Sequence, residues 1–193
     1  FYQQVEVAHK QLTEELAEMH KTHDVTIYCV GHSHIDVAWL WRVKHTKKKC
    51  LRRFSTVMRL MDRFDDYRFV QSQPQLYRFV KDNYPALYDE IRQRVAEGKF
   101  EPNGGMWVEA DCNLISGESM VRQFLYGDRF FREEFGKRSN CLWLPDVFGY
   151  SWAMPQVLKQ CGIDTFMTTK ISWNEYNKIP HDTFMWKGMD GTE

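Results

Sequence analysis

The chain has 193 residues, enough for one sizeable core and too few for two comfortable domains. Its 26 basic and 26 acidic residues cancel, so no net field draws it to nucleic acid or to an anionic membrane, and a neutral partner such as a sugar fits better. No run approaches the roughly 20 apolar residues of a membrane span, and Phe1 to Lys10 lack the apolar stretch of a secretory signal, so a soluble protein is expected.

Residues 2–21 place Val5, Ala8, Leu12, Leu16 and Met19 at helical spacing among charged residues. This predicts an amphipathic helix, or a linker, over residues 1–24, packed ahead of the main fold at 25–193. Val25 to Val30 is a short apolar run with β-branched and aromatic residues, ended by Gly31, and predicts a buried strand. From Thr46, the residues Leu51, Phe54, Val57, Met58, Met61 and Phe64 form one helical face, with Lys47 to Lys49, Arg52 and Arg53 mostly opposite. Tyr67 to Ser72 predicts a second strand. Pro85 opens a helix carrying Leu87, Ile91 and Val95 before Gly98.

Lys99 to Pro102 predicts a third strand, and Ser116 opens a helix carrying Met120, Phe124, Phe131 and Phe135. Cys141 to Leu144 is a fourth strand, Pro155 to Cys161 a short helix and Asp164 to Thr168 a fifth strand, with Thr183 to Lys187 a candidate sixth. Strands alternating with helices imply an α/β fold built on a parallel sheet, whose ligands sit beyond the carboxyl ends of the strands. Cys29, Cys50, Cys112, Cys141 and Cys161 are odd in number, scattered and free of any CxxC pair, which points to a reducing compartment, the cytoplasm. Phe1 is not an initiator methionine, and the chain stops at Glu193 just after an apparent strand, so a piece of a longer protein is expected.

After the first strand come Gly31-His32-Ser33-His34-Ile35-Asp36. His34 and Asp36 are two apart, so in extended backbone both side chains point the same way and can share a cation. An imidazole and a carboxylate are ordinary zinc ligands at about 2.0–2.2 Å. His32 is in phase with them and could support them, although hydrogen bonding of this His and Asp to loop backbone is the simpler alternative. Asp146 follows the fourth strand directly, where a turn or a helix cap is the competing explanation. Two carboxylates and an imidazole at one end of a sheet are costly to desolvate unless a divalent cation offsets them. Gln71, Gln73, Glu109, Asp111 and Lys170 add a polar set at the same rim. Trp39, Trp107, Phe148 and Trp173 follow strands closely and either stack on a pyranose or fill the core.

The strings Gly31-His32-Ser33-His34-Ile35-Asp36-Val37-Ala38-Trp39 and Trp143-Leu144-Pro145-Asp146-Val147-Phe148-Gly149-Tyr150-Ser151 together resemble the glycoside hydrolase family 38 α-mannosidases. Gly104-Gly105-Met106-Trp107-Val108-Glu109, the stretch Ser116 to Phe124, and Lys170-Ile171-Ser172-Trp173-Asn174 look like the cytosolic branch of that family, as do Val37 and Val147 where secretory members have proline. The resemblance implies a (β/α)7-type barrel, of which this chain holds the N-terminal part. It implies one divalent metal, Zn2+ or Co2+, on His34, Asp36 and Asp146, with Asp146 also the nucleophile. Trp39, Phe148, Trp107 and Lys170 would bind the sugar. The partner implied is a mannose-containing oligosaccharide, met in the cytoplasm by a homo-oligomer of the full-length protein, with no nucleic acid and no membrane. Hydrolysis with retention would run through a covalent mannosyl-enzyme. The family's later histidine ligand and its acid/base carboxyl are expected beyond Glu193, so the 193 residues alone are expected to bind metal poorly and turn over little. Two alternatives stand beside this: a metal-dependent carbohydrate deacetylase, disfavoured because no two histidines are four apart, and a non-catalytic sugar-binding barrel fragment.

Overall fold

The computed structural model describes residues 2–19 and 24–193. Helix α1 (Tyr2–Glu18) forms where the 3.6-residue period predicts it, yet every described side chain on it is exposed, Val5 and Leu16 to more than half or close to it. The expected packing of its apolar stripe is therefore corrected: none of the other described elements lies against it closely enough to cover that stripe.

Strand β1 is only Gly31–His32, and the predicted strand over Val25 to Val30 is extended, unpaired and exposed. A strand needs a neighbour. After helix α2 (Val43–Arg63) and a turn at Asp65-Asp66, β2 (Phe69–Gln71) begins only in register with Gly31. Pairing then continues to β3 (Phe100–Pro102), with Phe69 opposite Phe100. A second ladder joins β4 (Cys141–Leu144) to β5 (Thr165–Thr168), and a parallel bridge from Gly104 to Leu142 connects the two groups. All five strands are thus parallel and adjacent in chain order, the expected α/β arrangement, with right-handed crossovers the rule for such units.

Thr183 to Lys187 is not a sixth strand. With Phe166 and Thr168 of β5 it lines a cavity of about 460 Å3, and among the described residues no strand ladder joins it to β5. Between β2 and the Pro85 helix the structure adds α3 (Pro74–Asn83), which sequence reading missed. The signal was present: Pro74 stands at the first helical turn, and Leu76, Tyr77 and Val80 share a face. Tyr84 separates α3 from α4 (Pro85–Ala96), because Pro85 has no amide hydrogen with which to continue the ladder.

Helix α5 (Gly117–Phe135) shows how local signals set its ends. Ser116 Oγ accepts from the Ser119 amide at 3.2 Å. Gly136, at φ +64°, closes it with amide bonds from Gly136 to Arg132 O and from Lys137 to Phe131 O. One core lies between the outer face of β1–β3 and helices α2 to α5, around Phe54, Tyr77, Phe100 and Phe131, with ring centroids 5.5 to 6.1 Å apart. A second core around Met106, Phe124, Leu142, Leu144 and Met154 fixes β4 against α5 and α6 (Met154–Gln160).

Candidate metal and catalytic centre

Each polar residue of the site leaves the carboxyl end of a strand. His34 and Asp36 follow β1, Ser72 and Gln73 follow β2, Glu109 lies on the loop after β3, Asp146 follows β4 and Lys170 follows β5. Parallel strands in chain order bring these ends to one rim. His34 Nε2 lies 3.1 Å from Asp36 Oδ1 and 3.4 Å from Asp146 Oδ2. These three residues offer ligand atoms all within 4.8 Å of one another. Tetrahedral bonds of about 2.0–2.2 Å put ligand atoms roughly 3.3–3.5 Å apart, close to the two separations from His34 Nε2.

The charges fit as well. Lys170 Nζ contacts Asp146 Oδ1 at 2.8 Å, and Glu109 Oε2 contacts His34 Nδ1 at 2.7 Å. Three carboxylates against one lysine and a neutral imidazole leave two formal negative charges, which a divalent cation offsets. Burial, the largest single effect on His34, opposes protonation, but the hydrogen bonds and charges of Glu109 and Asp36 outweigh it and raise its pKa to about 9. His32 goes the other way, lowered to about 4 by burial and by the charge of His34, with its ring tilted on Trp143 at 5.2 Å. Among the described residues its Nε2 has no hydrogen-bond partner, whereas Glu109 lies against His34.

The loops are held from outside. Tyr150 Oη donates to Val147 O at 2.6 Å and also meets Thr168, while Thr169 Oγ1 donates to Pro145 O at 2.7 Å, so the turn carrying Asp146 is tied to the end of β5. Thr46 Oγ1 donates to Val37 O and accepts from Trp41 Nε1 at 3.1 Å, tying the turn after Asp36 to α2.

Among the expected sugar-binding residues, Phe148 is 65% exposed and meets Trp173 edge to face at 5.6 Å, and Lys170 Nζ sits 3.7 Å from the Trp173 ring centroid and 5.3 Å from that of Phe148. These form an open aromatic and cationic wall beside Asp146. Trp39, 68% exposed, packs edge to face on Trp41 at 5.6 Å on the His34 side. Trp107 is partly buried: its ring meets Phe130 of α5 at 5.7 Å and its Nε1 donates to Gln75 of α3 at 3.1 Å. Asp111, a rim candidate, caps its own turn by accepting from the Asn113 and Leu114 amides at 2.8 and 2.7 Å. The sequence named Glu109 as a rim residue and within a family-like string; its contact with His34 depends on the loops after β1 and β3 meeting.

Comparison with known proteins places the chain in a family. The profile of the glycosyl hydrolases family 38 N-terminal domain matches residues 24–193. Alpha-mannosidase G of Dictyostelium discoideum is 51% identical over 180 residues, 93% of this chain and 17% of that protein. Human alpha-mannosidase 2C1 is 52% identical over 167 residues, 86% of this chain and 16% of that protein. The crystal structure of an alpha-mannosidase from Enterococcus faecalis V583 superposes with a TM-score of 0.67 at 23% identity, covering 72% of this chain and 16% of that one. The chain thus spans about a sixth of the length of the curated relatives it matches.

Proposed function

The chain belongs to glycosyl hydrolase family 38, and on that premise we propose that the full-length protein is a retaining α-mannosidase whose nucleophile and three metal ligands lie in these 193 residues. The observation that carries this reading is the meeting of His34, Asp36 and Asp146 beside the exposed Phe148 and Trp173 wall. The parallel sheet is then part of a (β/α)7-type barrel. The substrate is a terminal α-mannoside of a free oligosaccharide or glycan, in keeping with the mannosidase names of the relatives. The same reading carries a cytoplasmic location and a homo-oligomeric full-length protein.

Asp146, 32% exposed at its side chain, is open to substrate yet fixed by Lys170 at one oxygen. Its carboxylate attacks the anomeric carbon as the bond to the leaving oxygen breaks, and a second carboxyl group protonates that oxygen. Water, deprotonated by the same group, then attacks the anomeric carbon and releases Asp146, so two inversions give net retention. The second carboxyl and a further histidine ligand are assigned to the full-length protein outside these residues. Zn2+ or Co2+, held by His34, Asp36 and Asp146, would supply electrostatic stabilisation of the sugar's hydroxyls and of developing charge. Phe148 and Trp173 stack on the apolar face of the mannose, and Lys170 donates to one of its oxygens or to Asp146 in turn.

The test is Asp146→Asn in the full-length protein. Turnover of an aryl α-mannoside is expected to fall at least about a thousandfold while most of the metal stays bound, since an amide oxygen can still ligate. Hydrolysis at the unmodified rate would refute the mechanism, and lost substrate binding with normal turnover per bound substrate would favour a sugar-binding role.

A further inference from the structure

We infer that Glu109 is the positioning residue of this centre, holding the imidazole of His34 so that Nε2 faces the metal, and that Ser72 and Gln73 hold Glu109. The inference rests on the reading of His34 as a metal ligand. Glu109 has a side chain only 4% exposed, where an ionised carboxylate is costly unless it is fully engaged. Oε1 accepts from Ser72 Oγ at 2.6 Å, and Oε2 lies in ion-pair contact with His34 Nδ1 at 2.7 Å, while both of those atoms are buried and have no other hydrogen-bond partner among the described residues. A carboxylate on Nδ1 fixes the tautomer with the proton there, leaves Nε2 free to ligate, and raises its basicity.

The backbone around Glu109 is built to bring it there. Gly104, at φ +118°, lets the loop after β3 pass over Ser72, since a Cβ at Gly104 would lie 2.7 Å from Ser72 Cβ. Gln73 is the non-glycine residue at positive φ among those described, at +64°, a conformation that costs of order 1 kcal/mol or more and persists where surroundings impose it. Here its buried amide bridges two loops, donating to Ile35 O at 3.0 Å and accepting from the Glu109 amide at 3.2 Å. Ile35 lies between the two ligands His34 and Asp36. Gln73 thus locks the ligand loop and the Glu109 loop to the same strand end, and Gln123 of α5 anchors the latter through the Trp107 and Val108 amides at 2.9 and 3.0 Å.

The experiment uses the full-length protein with Glu109→Ala, Glu109→Gln, Ser72→Ala and, as reference, His34→Ala. Zn2+ affinity is measured by competition with a chelator, and Co2+ is loaded separately to record its visible ligand-field spectrum. Glu109→Ala is expected to weaken Zn2+ binding about 10- to 100-fold and to change the Co2+ spectrum; Glu109→Gln, which keeps an acceptor for the Nδ1 proton, is expected to recover part of the loss. Ser72→Ala should act in the same direction and less strongly. The melting temperature of the metal-free proteins separates positioning from general damage: the inference requires the metal effect in variants that remain folded. Folded Glu109 variants with unaltered Zn2+ affinity and Co2+ spectrum, while His34→Ala loses the metal, would overturn this inference and leave the ligand assignment standing. Unaltered metal binding in His34→Ala would instead overturn the ligand assignment itself.

Discussion

Replacing Gly127 by alanine sets helix propensity directly against packing. Gly127 lies inside α5 and is buried, and a Cβ there would meet the Gly105 carbonyl oxygen at 2.2 Å and the Met106 carbonyl carbon at 3.0 Å. Ordinary contact starts more than about 1 Å further out, and the obstacle is backbone, which cannot rotate away. Overpacking of this kind costs about 1–3 kcal/mol. Alanine in a helix interior recovers about 0.5–1 kcal/mol. The net expectation is a loss of about 1–2 kcal/mol and a fall in Tm of about 2–8 °C for a chain of this size. Gly117→Ala in the same helix is the control, because a Cβ there meets nothing within 4 Å, and it should leave Tm level or slightly higher. The pushed segment leads straight to Glu109, so Zn2+ affinity should fall with Tm in Gly127→Ala and not in Gly117→Ala. Thermal and urea unfolding of both variants measure the effect. A Tm for Gly127→Ala above that of the parent would mean that propensity dominates and that α5 does not rest on the Gly105-Met106 backbone as described.

Phe54 is fully buried and meets both Tyr77 and Phe100 at 6.0 Å, so Phe54→Ala should cost about 3–5 kcal/mol in urea unfolding, and a cost under about 1 kcal/mol would show that the first core is not centred there. Cys29 is exposed, whereas burial raises the Cys50 and Cys112 thiols to about 12 and Cys141 to about 11. A raised thiol pKa lowers the thiolate fraction at every pH below it, so iodoacetamide at pH 8 should label Cys29 at least about tenfold faster than the other three, by peptide mapping. Rapid labelling of Cys50 in the folded protein would contradict its placement in the core.

Much of the fold was legible because its causes are local. The period of Phe54, Val57, Met58 and Met61 marks one face of α2 whatever lies against it, Ser116 and Gly136 set the ends of α5 by capping their own backbone, and β2, β3, β4 and β5 stand where short apolar runs end in polar residues. The failures share a different cause. Val25 to Val30 and Thr183 to Lys187 have strand-like composition, but a strand is made by its neighbour, and among the described residues neither run is paired. Helix α3, by contrast, was passed over although Pro74 and the shared face of Leu76, Tyr77 and Val80 mark it locally.

The candidate site divides in the same way. Spacing alone put His34 and Asp36 on one side of an extended segment, and the position of Asp146 after an apolar run put it at a strand end. Those are facts of the sequence, since two residues on one extended strand share a direction by geometry. That Asp146 meets His34 Nε2, that Lys170 reaches Asp146, and that Glu109 meets His34 while Trp107 meets Phe130 was decided only by the tertiary structure. Parallel crossovers bring strand ends together from distant parts of the chain, and which side chains then face one another depends on register and loop path, to which no local pattern is sensitive.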